Sequence, residues 1–167
     1  GIPTKIPGVL DALARHDPAT YPLHVVGAQE GDDTMLRFDP KKFAGDIAAA
    51  ELPELTRPYF LPIISSNALA GILLQKSNGR IDGFIIETPV AGGHNAPPRG
   101  KLKLDDLGQP IYGERDVVDL ARMKEIGLPF WVAGGYATRE RLAEVQAAGA
   151  TGIQIGTAFA FCEESGM

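Results

Sequence analysis

The chain has 167 residues, 44% of them apolar and 22% charged, which is the balance of an ordinary globular domain able to bury a core. Its formal net charge of −5 argues against unspecific nucleic-acid binding and against a polybasic membrane contact, since neither polyanion would be attracted overall. Cys162 is the one cysteine, so no internal disulfide forms, and neither a leader-like pattern nor a long apolar span occurs. We therefore predict a cytoplasmic protein that acts on a small molecule.

The first third of the chain combines helix and hairpin signals. Its predicted elements are helices at 5–15 and 41–50 and strands at 23–27 and 34–38. We predict that residues 21–58 form a hairpin-and-helix insertion within one domain that spans 1–167. This insertion has two candidate roles, either as a lid or as a contact between subunits.

Strand-and-helix units follow the insertion. The predicted strands begin at residues 59, 81, 130 and 152, and the predicted helices span 67–76, 114–126 and 138–148. Nearly continuous apolar strands that alternate with amphipathic helices are typical of a parallel sheet covered on both faces. The pattern predicts an α/β fold with about four βα units.

Two of these strands end in glycine. Ala133 is followed by Gly134 and Gly135, and the last strand runs into Gly156 and Thr157. Because glycine lacks a Cβ, the backbone N–H groups of two neighbouring loops can close on one anion, as they do after the seventh and eighth strands of a (β/α)8 barrel. The pattern predicts a phosphate cradle and a phosphorylated ligand.

A loop with catalytic potential leaves the strand that ends at Glu87. It contains Gly92, Gly93 and His94, at the strand end where barrel enzymes place catalytic groups. An imidazole with its ordinary pKa of about 6.5 suits proton abstraction near neutral pH, and the paired glycines let a cofactor ring approach the backbone. His94 is the candidate catalytic residue, and a histidine that caps or bonds a surface loop is the alternative.

The number of βα units is half of what a closed barrel needs. Eight units take about 250 residues, whereas this chain supplies four and the insertion. We predict a (β/α)8 TIM-barrel type fold of which the C-terminal half is present. Open sheet edges invite pairing, so we expect either a homo-oligomer or an N-terminal barrel half supplied by other residues.

Three motifs occur in barrel order. They are Ala-Gly-Gly-His at 91–94, Ala-Gly-Gly at 133–135 and Gly-Ile-Gln-Ile-Gly-Thr-Ala-Phe at 152–159. After the segment at 61–70, these motifs together resemble the C-terminal half of the nitronate monooxygenase family, the 2-nitropropane dioxygenase-like proteins. That family also includes flavin-dependent enoyl-thioester reductases on the same barrel.

The resemblance implies an FMN-dependent oxidoreductase with a small-molecule substrate. It assigns the FMN phosphate to backbone amides of Gly134, Gly135, Gly156 and Thr157, and it places His94 opposite flavin and substrate. A nitronate monooxygenase would use His94 to exchange a proton at the carbon bearing the nitro group, with O2 reoxidising the flavin. An enoyl-thioester reductase would take electrons from a nicotinamide cofactor instead. The predicted cofactor-binding residues are Gly92, Gly93, Gly134, Gly135, Gln154, Gly156 and Thr157.

Two alternatives to a flavoenzyme stay open. Phosphate cradles are shared by many barrels, so a flavin-independent phosphate-binding barrel is one of them. A non-catalytic half-barrel that self-associates through its open sheet is the other, because catalysis needs groups held within fractions of an ångström.

Other polar residues at strand ends have two interpretations each. Ser65, Ser66 and Asn67 are placed to bond flavin or substrate, but Ser66 or Asn67 suits capping of the following helix better. Glu87 either orients a neighbouring group or is structural. Gln154 either bonds the flavin or satisfies a neighbouring polar group within its apolar strand.

Charged groups elsewhere give weaker signals. In the long loop at 95–112, Arg99 and Lys101 either bind an anionic substrate group or form a solvated face, and the second is favoured. His16 and His24 lack neighbours at metal-ligand spacing, so we predict no metal site.

Overall fold

The computed structural model of the chain describes residues 3–29, 31, 34–47, 51–93 and 95–166. The chain divides into two compact units. Gly1–Phe60 and Leu73–Ile81 form the first unit, and Leu61–Ile72 and Asp82–Met167 form the second. No helix in the described ranges combines the length and the apolar character that a bilayer crossing requires.

In the first unit, a helix precedes an antiparallel hairpin and one helical turn. Its elements are α1 Ile6–Ala14, β1 Ala19–Leu23, β2 Thr34–Phe38 and α2 Pro40–Phe43. The prediction of β2 is confirmed, whereas the partner strand predicted at 23–27 is wrong, since β1 pairs from Ala19 opposite Phe38 to Leu23 opposite Thr34. The chain turns beyond Leu23, where Ala28 N–H donates to Val25 O at 3.2 Å and Gly27 has a φ of 84°.

α2 is shorter than the helix predicted at 41–50. Asp39 caps its start by accepting hydrogen bonds from the backbone N–H groups of Lys41 and Lys42. Gly45, with a φ of 65°, ends the helical path. Residues 48–50 lie outside the described residues, and the insertion predicted at 21–58 stays a prediction.

A largely buried ion pair anchors the first unit. The Arg57 guanidinium binds the Asp11 carboxylate, and it also donates to the carbonyl oxygens of Pro58 at 2.8 Å and Arg80 at 2.6 Å. Asp11 accepts a further bond from Arg80 N–H at 3.3 Å. Because both charges are paired and share additional partners, this cluster fixes α1 against two connecting segments.

The second unit contains a four-stranded parallel sheet. Its strands are β3 Ile63–Ile64, β4 Phe84–Glu87, β5 Phe130–Ala133 and β6 Gly152–Gln154, in the order β3-β4-β5-β6. Every neighbouring pair is parallel. The helices that follow the strands are α3 Asn67–Lys76, α4 Leu120–Glu125, α5 Arg139–Ala147 and α6 Thr157–Ala160. The predicted α/β class with a parallel sheet is confirmed.

Side-chain caps fix where these helices begin. Ser66 Oγ accepts from Leu69 N–H at 3.1 Å, which confirms the predicted capping role of this serine. Asp119 caps α4 by accepting from Ala121 N–H at 3.0 Å. The helix predicted at 114–126 is therefore wrong in its first half, where Glu114–Asp116 is a short 3-10 helix and the chain is extended at Val117.

The two faces of the sheet differ in burial. One face is sealed in the core, with side chains at most 1% exposed: Ile64, Phe84, Ile86, Phe130 and Val132. The alternate residues on the other face are partly or fully accessible: Ile63, Ile85, Glu87, Trp131, Ala133 and Gln154. Ile63 is 56% exposed. The sequence predicts a sheet that is covered on both faces. Within the described residues, one of the two faces is covered.

Candidate functional site

The carboxyl ends of β4, β5 and β6 meet around one open cavity of about 590 Å³. Three loops form its walls, at 90–92, 134–137 and 155–158, and the accessible face of the sheet forms its floor. Parallel strands place all their carboxyl ends at one edge, which is why loops distant in sequence converge here. The cavity is large enough for a cofactor-sized ligand.

Most of the predicted cofactor-binding residues line this cavity: Gly92, Gly134, Gly135, Gln154, Gly156 and Thr157. Gly93 is not among the lining residues. His94 lies outside the described residues, so its catalytic role stays a prediction. The assignment of all these residues to a cofactor is likewise a prediction, but six of them share one cavity.

The Gly134–Gly135 turn requires glycine. Gly134 and Gly135 have φ values of 93° and 73°, a region that side-chain-bearing residues rarely adopt. A Cβ on Gly134 would overlap Thr88 Oγ1 and would lie 2.7 Å from Ala91 N. The absence of a side chain thus lets the loop after β4 lie directly on the turn after β5.

A second close approach joins the loops after β4 and β6. A Cβ on Gly92 would overlap Thr157 Oγ1. At Gly156, by contrast, a Cβ would meet no atom within 4 Å. Gly92 is therefore needed for packing between two loops, whereas Gly156 leaves open space beside the cavity.

Four backbone donors at this cavity have no acceptor among the described residues. They are the N–H groups of Gly134, Gly135, Gly156 and Thr157. Backbone N–H groups are strong donors that proteins normally satisfy, so a set without partners in one cavity is a site prepared for an anion or for water. The donor set fits a phosphate group, and three of the four residues carry no side chain that would obstruct it.

The long loop after Gly93 is held by side-chain to backbone bonds. Asn95 Nδ2 donates to Pro89 O and to Ala91 O, both at 3.0 Å, and closes the turn that leads into the cavity wall. Tyr112 OH donates to Ala96 O at 2.9 Å. These bonds fold the loop back on itself beside the end of β4.

Asp116 completes this loop. Its carboxylate accepts from the backbone N–H groups of Arg99 and Gly113, each at 2.8 Å. These two hydrogen bonds lower the pKa of Asp116 below its ordinary value, because both favour the charged carboxylate. The bond from Gly113 N–H has the larger effect, and the bond from Arg99 N–H comes second. The loop is therefore stabilised by an ionised side chain.

Apart from Glu87, the other polar candidates at the strand ends lie away from the main cavity. Asn67 exchanges two 2.9 Å hydrogen bonds with the backbone of Asp119 and is engaged structurally. Ser65 and Arg99 line a separate cavity of about 20 Å³, which has room for little more than one water molecule. Glu87 lines both cavities.

Sequence reasoning missed several residues of the site. Val90, Tyr136 and Phe161 line the cavity, and Thr88 lies against its floor. Tyr136 follows the double glycine, so its position was available from the motif. Thr88 carried no such signal, because its hydroxyl contacts residues more than 40 positions away. Within the described ranges, no three His, Cys, Asp or Glu side chains gather as a metal site would require.

Fold and site together define an α/β protein with a candidate anion site at the carboxyl edge of a parallel sheet. The sequence profile of the nitronate monooxygenase family matches residues 54–167, more than half of the chain, and the chain belongs to this family. The resemblance found in the three motifs is thereby confirmed. Members of this family are oxidoreductases and are generally flavin-dependent. No curated protein and no solved structure matches the chain.

Proposed function

We propose that the protein is an FMN-dependent oxidoreductase that oxidises nitronates or nitroalkanes with O2. The observation that supports this best is a set of four backbone N–H groups around one cavity, at Gly134, Gly135, Gly156 and Thr157, for which the described part of the chain offers no acceptor. An FMN phosphate satisfies such donors better than a neutral ligand does, since hydrogen bonds to a charged acceptor are the stronger ones. Membership of the nitronate monooxygenase family supports the choice of flavin and reaction.

The remaining lining residues suit a ring system beside the phosphate. Gln154 is exposed in the cavity, where its amide can serve as donor or acceptor to the ring edge. Gly92 belongs to the cavity wall, so its backbone is available to the ring. When bound, FMN supplies the electron acceptor for the substrate and the site of reaction with O2.

His94 is the proposed proton-transfer residue. It directly follows Gly93, in the loop whose other end contributes Val90 and Gly92 to the cavity. In this role it exchanges the proton on the carbon that bears the nitro group. Removal of that proton concentrates negative charge on the nitro group and prepares the substrate for oxidation.

We also propose that the four strands are half of a (β/α)8 barrel. The support is the accessible sheet face with Ile63 and Trp131, since parallel sheets are almost always covered on both faces. In a barrel this face lines the interior. The cover comes either from a second copy of the chain or from an N-terminal barrel half. We also propose that the protein is located in the cytoplasm.

Flavin titration tests the proposal directly. We expect quenching of FMN fluorescence to saturate at a defined stoichiometry, with riboflavin binding more weakly because it lacks the phosphate. O2 consumption with the nitronates of small nitroalkanes then tests the reaction, and reduction of an enoyl thioester by a nicotinamide cofactor tests the related activity. Absence of flavin binding by the chain, alone and with its complementing half, would reject the flavoenzyme proposal.

The catalytic role of His94 makes a separate prediction. His94→Ala should lower kcat by about 10²- to 10⁴-fold, the usual contribution of a general acid or base, while FMN affinity stays unchanged. Stopped-flow reduction of the bound flavin by a nitroalkane measures this step. If the substitution releases FMN instead, His94 is a structural residue of the flavin site.

A further inference from the structure

The Thr88 hydroxyl lies between two successive backbone carbonyls. Its Oγ1 is 3.0 Å from Ala133 O and 3.1 Å from Gly134 O. The Thr88 N–H also donates to Ala133 O, at 3.1 Å. Thr88 therefore contacts the carbonyl side of both peptide groups that flank Gly134, across a gap of more than 40 residues in sequence.

This contact fixes the direction of two N–H groups. A trans peptide group is planar, with its N–H pointing opposite to its carbonyl. Since Thr88 lies on the carbonyl side, the N–H groups of Gly134 and Gly135 point away from it. Both glycines line the cavity, and neither N–H has an acceptor among the described residues. Two successive N–H groups with one orientation form an anion-binding concavity.

The fit between Thr88 and this turn is close. A Cβ on Gly134 would overlap the Thr88 hydroxyl, so the turn lies directly on that side chain. Thr88 O in turn accepts from Ala91 N–H at 3.0 Å, which closes the loop after β4 against the same turn. The residue is thus held from both sides, with little freedom to release the two carbonyls.

We propose that Thr88 is a positioning residue of the phosphate cradle: it holds two carbonyls so that the N–H groups of Gly134 and Gly135 face the phosphate. This inference rests on the proposed function, because the anion in question is the FMN phosphate. Thr88 is not among the residues that line the cavity. It acts through the orientation of the peptide groups at Gly134.

Thr88→Val tests the proposal, because valine keeps the shape of threonine and removes the hydroxyl. We expect FMN affinity to fall about tenfold, equivalent to about 1.4 kcal/mol, while riboflavin affinity changes less than twofold. Thr88→Ser restores the hydroxyl and should recover most of the FMN affinity. The ratio of FMN to riboflavin affinity isolates the phosphate from the rest of the ligand.

A matched control separates positioning from general stability. Thr138 Oγ1 caps α5 by accepting from Arg141 N–H, so Thr138→Val loses a hydroxyl bond elsewhere in the same unit. This variant should lower stability by about 1 kcal/mol and leave the FMN to riboflavin ratio unchanged. If Thr88→Val weakens both flavins equally, or weakens neither, the positioning role is overturned.

Inorganic phosphate distinguishes this proposal from the proposed function. One outcome is that the wild-type protein binds phosphate but not FMN, and that Thr88→Val weakens the phosphate binding. That result would retain the positioning role and reject the flavin. Binding of neither phosphate nor FMN by the wild-type protein would reject both. FMN binding with an unchanged ratio in Thr88→Val would reject the positioning role alone.

Discussion

The two faces of the parallel sheet are built from alternate residues of the same strands, yet they are stabilised differently. Ile86 lies on the covered face and is 1% exposed, whereas its neighbour Ile85 is partly accessible and lines the cavity. The covered face is held by apolar packing. At the carboxyl edge of the accessible face, the strands continue into glycine turns and into loops that are held by hydrogen bonds between side chains and the backbone.

The difference separates stability from binding along single strands. On the covered face, close-packed side chains exclude water, and each contributes through its buried apolar area. On the other face, side chains stay accessible, and at its carboxyl edge lie the N–H donors that have no acceptor among the described residues. Substitutions on the two faces should therefore affect different measurable quantities.

The largest effect is expected from truncation on the covered face. Ile86→Ala should reduce the free energy of unfolding by about 2–5 kcal/mol, because it leaves a cavity in a packed core. Ile85→Ala, the same substitution one residue earlier, should cost about 1 kcal/mol or less. Urea denaturation of both variants measures the contrast. Equal losses would mean that Ile85 is covered in solution, and sedimentation equilibrium would then identify a second copy as the cover.

A smaller effect, on binding alone, is expected at Gly156. Gly156→Val places a side chain where a Cβ meets no protein atom within 4 Å, beside the cavity, so it should weaken FMN about tenfold or more with little change in stability. Gly113→Val is the control for adding a side chain away from the cavity, since a Cβ on Gly113 also meets nothing within 4 Å. Unchanged FMN affinity in Gly156→Val would remove this glycine from the cradle.

The smallest effect is expected at Asp116, whose carboxylate holds the loop at 95–116. Its lowered pKa means that ionisation stabilises the folded state. This contribution is fully present above the ordinary pKa of 3.8 and is lost as the pH falls through the lowered value. Asp116→Asn should therefore reduce stability at neutral pH and lose its effect in strong acid. Unfolding measured as a function of pH tests this, and a pH-independent difference would contradict it.

The parts of the molecule that sequence predicts are those with local causes. Glycine at strand ends, helical spacing and caps such as Ser66 depend on neighbours within a few residues, so the α/β class and the convergence of the two glycine-bearing loops were predictable. The extended chain at Val117 was not, because the apolar spacing of the following helix continues back to Val117, whereas the Asp119 cap starts the helix at Leu120. At 23–27 the apolar residues predicted a strand, but the chain turns at Gly27 and the strand lies at Ala19–Leu23 instead.

The accessible sheet face and the role of Thr88 depend on distant contacts. β4 and β5 carry apolar residues on both faces, so alternation could not reveal which face is accessible. Thr88 follows β4 without any motif, and its two carbonyl partners lie on the strand end and turn of β5. To predict such a role, one must know which strands are neighbours and in which register they pair.

The candidate cradle consists of main-chain groups, and this has a consequence for how such a protein can diversify. Its donors belong to the backbone of Gly134, Gly135, Gly156 and Thr157, so they persist through any substitution that preserves the backbone path. Side chains around the cavity, such as Val90, Tyr136 and Phe161, can change independently. A lineage can therefore acquire new substrates by altering these residues while it retains one cofactor.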